Sequence, residues 1–126
     1  MTALFLLWNL YAAAEFLAHC RDAQLNATDT PQGAFLTACP TWALLGWGLG
    51  ALMGVGGSML MALRRRVAAL AFALGFVGYL VHGLWRFDAT PAHALQTSAL
   101  SVALVLAMAL AQMGLARRLF WAGLLR

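Results

Sequence analysis

Lysine is absent from this chain, and acidic residues number only four: Glu15, Asp22, Asp29 and Asp88. Charged residues make up 10% of the 126 positions and hydrophobic ones 63%, whereas a globular domain carries roughly 25% charge. So few charges cannot cover a water-facing surface, which excludes an ordinary soluble domain. There are two cysteines, Cys20 and Cys39, spaced neither as a C-x-x-C redox pair nor as a metal knuckle. No nucleophile stands in a pattern with a base, so neither an enzyme nor any cofactor is expected.

What is present is apolar sequence in four runs: about 2–19, 41–63, 67–85 and 93–116. A bilayer core about 30 Å thick needs roughly 20 helical residues at 1.5 Å each. The expected fold class is therefore an all-α integral membrane bundle of four antiparallel transmembrane helices in a single domain, 1–126. Pro40 opens the second run, where a missing N–H costs nothing. Arg64, Arg65 and Arg66 make a tight turn between the second and third. The polar stretch 20–40 reads as a loop, and 117–126, with Phe120 and Trp121, as an interfacial tail.

All eight basic residues are arginine, which points to a GC-rich bacterial genome. Arg64, Arg65, Arg66, Arg117, Arg118 and Arg126 fall on one side of such a bundle; Arg21 and Arg86 fall on the other. By the positive-inside rule both termini are then cytoplasmic, in a bacterial inner membrane. The net charge of +4 is accounted for by topology, so nucleic acid is not an expected partner. The lipid bilayer is. Ala12 and Ala14 offer an A-x-A site, but residues 1–7 carry no basic residue, so a cleaved signal peptide is not expected.

Gly46, Gly50, Gly54 and Ser58, followed by Ala62, repeat every four residues in the second run, a pattern that lets helices approach closely. Ala99, Ala103, Ala107 and Ala111 repeat it in the fourth. Packing within the chain is favoured over a homodimer face, although other membrane subunits remain candidate partners.

Polar residues inside a membrane are functional candidates by default. Trp8, Tyr11, Glu15 and His19 share one helical face, as do Gly75, Tyr79, His82 and Arg86. Glu15 and His82 each lie about 6 Å inside the boundary, so Tyr11, Glu15, Tyr79, His82 and Arg86 form an expected intramembrane polar cluster. It is either a structural Glu–His or Glu–Arg pair or a protonatable site open to the outside. His19 and His82 as haem ligands, and Glu15, His19, Cys20 and Cys39 around a metal, lack any supporting signature. Cys20 and Cys39 flank one external loop, where a disulfide and two free thiols are both open readings. Asn26-Ala27-Thr28 matches the glycosylation pattern, which means little in a bacterial protein.

Two resemblances follow. Cys39-Pro40-Thr41-Trp42-Ala43, the Gly-rich span, Leu63-Arg64-Arg65-Arg66-Val67-Ala68 and Phe72-Ala73-Leu74 resemble small four-helix proteobacterial inner-membrane proteins often labelled "sugar transporter". That likeness covers about residues 39–80 and implies no sugar site. Four helices with a Glu in the first also resemble small multidrug resistance transporters, in which an embedded carboxylate exchanges protons for cationic drugs. Glu15 would be the matching residue, although it lies near the outer end rather than mid-helix. The expected function is a structural or accessory subunit of a membrane assembly. The alternative is a small proton-coupled transporter using Glu15.

Overall fold

The computed structural model of the chain describes residues 2–24, 38–89 and 95–125. It is all helical, with α1 at Thr2–Gln24, α2 at Thr41–Ala62, α3 at Ala68–Ala89 and α4 at Leu95–Trp121. Each helix is long and apolar enough to cross a membrane. Three boundaries overrun the apolar runs. α1 continues five residues past His19 through Arg21, α3 continues through Asp88, and α4 runs through Arg117 and Arg118 to Trp121. Hydropathy marks where an apolar solvent would end, while backbone hydrogen bonding continues through any residue that tolerates helical dihedrals. The loop expected over 20–40 therefore starts later, beyond Gln24. Most of it, with Asn26, Asp29 and Pro31, lies outside the described residues.

The densest packing joins α2 to α3. A Cβ built on Gly78 would stand 2.5 Å from the Gly46 carbonyl oxygen and 2.7 Å from the Gly50 nitrogen. Only glycine allows two backbones to touch like this. The rest of the small stripe seats other groups. Gly50 lies under the Tyr79 ring, Gly57 under Phe72 and Gly54 against Asn9, while Gly48 lies under Phe16. The stripe is thus occupied inside the chain, by two neighbouring helices, α1 and α3, rather than one.

The alanine stripe of α4 is different. Ala103, Ala107 and Ala111 face outward, while Val102, Ala109, Gln112 and Ala116 turn inward. Packing of the alanine stripe within the chain is therefore corrected. Size does not sort the two faces, since Ala109 and Ala116 are buried while Leu100, Leu104 and Leu110 are exposed.

Along its axis the bundle has three levels. At the arginine end, Phe5, Met61, Ala68, Phe72 and Ala116 form an apolar cluster. Above it, Asn9 Nδ2 donates to Ser58 Oγ at 2.9 Å and to Gln112 Oε1 at 3.2 Å, joining α1, α2 and α4. Above that node the helices part around a cavity.

Candidate functional site

The cavity holds about 460 Å³ and draws side chains from all four helices. α1 contributes Tyr11, Glu15 and His19, spaced by four residues and so stacked along one face. α3 contributes Tyr79, His82 and Arg86 at spacings of three and four, α2 contributes Trp47, and α4 contributes Ser101. The five residues expected from sequence as a polar cluster, Tyr11, Glu15, Tyr79, His82 and Arg86, all line this one space.

Of the Glu–His and Glu–Arg pairs left open by the sequence, Glu–His is not the contact that His82 makes. Glu15 is exposed to the cavity side, and its carboxylate accepts a hydrogen bond from the Tyr11 hydroxyl one turn back on its own helix. A short i, i+4 reach within α1 serves the carboxylate without spanning the cavity. His82 turns to a backbone carbonyl of α2 instead.

That carbonyl orients the imidazole. His82 Nδ1 lies 3.2 Å from the Ala43 carbonyl oxygen. A carbonyl only accepts, so Nδ1 carries the hydrogen and Nε2 of the neutral ring is left as an acceptor. Trp47 stacks on His82 with centroids 4.9 Å apart and planes at 27°, and its edge contact with His19 spans 5.0 Å. Phe16 and Trp85 flank this group, 5.6 Å from Trp47 and 5.7 Å from His82 respectively. Trp47 thus packs against both imidazoles. Tyr79 is buried with its hydroxyl unbonded among the described groups, and its ring fills the space above Gly50.

The amide node lies nearer the arginine end than the cavity-lining Tyr11 and Tyr79. Asn9 is 1% exposed, Ser58 0% and Gln112 2%. The Ser58 hydroxyl is itself a donor, to the Gly54 carbonyl at 2.9 Å, and Gln112 Nε2 is a buried donor without a partner among the described groups. Sequence reasoning missed this node and the central place of Trp47. One signal was available: Asn9 lies seven residues from Thr2, Ser58 six before Arg64 and Gln112 five before Arg117, a shared depth from the arginine end.

Cys20 sits in the last turns of α1 and Cys39 directly precedes Pro40. Both are half-buried free thiols in the structure. Burial pushes the Cys39 thiol up, and negative charge on nearby Cys20 adds to the effect. Among the described residues, no group of three or more His, Cys, Asp and Glu side chains is placed to hold a metal ion.

No protein-family model matches the chain, and no curated protein or solved structure is significantly similar to it.

Proposed function

We propose that the chain is a multi-pass protein of a bacterial inner membrane with both termini cytoplasmic, and that it works as a small proton-coupled carrier. The observation that carries this reading is the position of Glu15. A purely structural carboxylate is expected to be buried between helices and tied to a neighbour. Glu15 instead borders a cavity large enough for a small molecule and is hydrogen-bonded by a tyrosine of its own helix. In the proposed orientation the cavity opens outward, and the amide node with the apolar cluster closes the path inward. A solute entering from outside meets Glu15, which releases a proton as the solute binds and regains one as it leaves.

Purified protein in liposomes tests this. Glu15→Gln keeps the shape but has no proton to release, so it abolishes proton flux while thermal stability in detergent stays at the wild-type value. Flux that does not depend on Glu15 sinks the carrier. Orientation is tested separately. A reporter fused after Arg126 is active only as a cytoplasmic fusion, and one inserted within 26–31 only as an external one.

A second reading, an accessory subunit of a membrane assembly, is favoured by the outward alanine stripe of α4. Ala103, Ala107 and Ala111 give a neighbouring helix a smooth surface for close approach. Gentle extraction followed by identification of co-purifying subunits tests it. A chain that runs alone, as a monomer, refutes it.

A further inference from the structure

The arginine end carries a second built feature, separate from the carrier cavity. Both helices that finish there end in the same backbone motif. At the end of α4, Leu124 N–H donates to the Leu119 carbonyl at 3.0 Å and Gly123 N–H to Phe120 at 3.0 Å, with Gly123 at φ 71°. At the end of α2, Arg65 N–H donates to the Leu60 carbonyl at 2.8 Å and Arg64 N–H to Met61 at 3.0 Å. These are two Schellman caps, each needing a left-handed residue. One uses glycine. The other uses Arg64, at φ 57°, alone among the described non-glycine residues in having a positive φ. An L side chain is disfavoured in that conformation, so a charge held there points to a use for the charge.

The tail past α4 shapes a slot beside it. The Leu125 carbonyl accepts from Arg66 Nε at 3.4 Å, and the Arg66 guanidinium sits 5.6 Å from the centre of the Phe120 ring. These contacts fold the tail back, so that Leu125 is buried. The resulting slot of about 410 Å³ has apolar walls from Met61, Leu119, Leu124 and Leu125 and polar groups from Thr2 and Arg64. Arg65, Arg117 and Arg118 are exposed at the same end of the bundle. The acidic residues within the described helices, Glu15, Asp22 and Asp88, lie nearer the other end of the bundle. Trp121, 75% exposed, is the kind of side chain that settles at headgroup level.

We propose that this slot binds an anionic phospholipid, with the phosphate on Arg64 and an acyl chain along Met61, Leu119 and Leu125. Apolar walls with one cation at the mouth suit an amphiphile better than a free anion, and the arginines at the same end select negative headgroups. Arg66 is a positioning residue, engaged by the tail rather than by lipid.

The test uses the whole chain in detergent, with thermal midpoints followed during addition of phosphatidylglycerol, phosphatidylcholine or inorganic phosphate. Phosphatidylglycerol raises the wild-type midpoint more than phosphatidylcholine does, and phosphate leaves it unchanged. Arg64→Gly, which relieves the left-handed arginine, raises the lipid-free midpoint yet weakens apparent phosphatidylglycerol affinity about fivefold. Arg118→Gln removes the same charge outside the slot and changes that affinity less than about twofold. Equal effects of the two lipids, equal losses in the two variants, or full stabilisation by phosphate alone each overturn the proposal.

Discussion

The contact between α2 and α3 makes a prediction in which one chemical change has opposite signs at two sites. Adding a methyl group at Gly78 sets it 2.5 Å from the Gly46 oxygen and 2.7 Å from the Gly50 nitrogen. Both are backbone atoms on a straight helix, so no side chain can swing away. Relief requires the helices to separate by roughly 1 Å, since comfortable carbon–heteroatom contact lies near 3.5 Å. That loosens the Tyr79, Val81 and Phe72 contacts along the whole crossing. Overpacking of this kind costs about 1–3 kcal/mol. Alanine recovers up to about 1 kcal/mol of helix propensity, so Gly78→Ala is destabilising by about 1–2 kcal/mol net. At Gly56 an added methyl group meets no atom within 4 Å, so Gly56→Ala keeps the propensity gain without the clash and is neutral to stabilising. Unfolding in mixed detergent micelles, followed by tryptophan fluorescence, measures both. A Gly78→Ala protein as stable as the wild type, or the two variants shifting together, would refute the backbone contact.

The amide node predicts coupled substitutions. Asn9→Leu loses two hydrogen bonds and leaves Gln112 buried without a partner, costing about 1–3 kcal/mol, and adding Gln112→Leu restores most of it; additive losses would disprove the bond between them. The free thiols of the structure predict that Cys20 and Cys39 both alkylate without prior reduction, and labelling of either only after reduction would establish the disulfide instead. Because the Cys39 thiol is raised, its thiolate forms at higher pH than in the unfolded chain. Its alkylation is then slower in the folded protein than in denaturant near neutral pH, and equal rates would contradict the burial.

The four helices were legible because apolar runs of about 20 residues have few other uses. The cavity-lining stripes were legible because Tyr11, Glu15 and His19, and Tyr79, His82 and Arg86, repeat at helical spacing. Pairing was not. Spacing places Glu15 on a face but cannot tell an intrahelical tyrosine from a histidine across the bundle. Gly50 read as part of a helix–helix groove; it meets the α3 backbone at Gly78 and also seats the Tyr79 ring, because a missing side chain does not say what fills its place. The outward turn of Ala103, Ala107 and Ala111 was hidden for a related reason. Alanine suits lipid, a partner or a core equally, and α4 is oriented by Gln112 and Val102 instead.

The amide node also sets an order of events during synthesis. Asn9 is made almost first, and its acceptor on Gln112 follows 103 residues later. At about 5–20 residues per second, α1 waits roughly 5–20 s before α4 exists. Ser58, 49 residues after Asn9, arrives about halfway through. The hairpin of α2 and α3, joined by the short arginine turn, needs no such wait. The first helix to be made is thus among the last to be fully bonded. Until then its amide requires water or another protein's polar group, which makes the nascent α1 a natural client for whatever machinery shelters unfinished membrane helices.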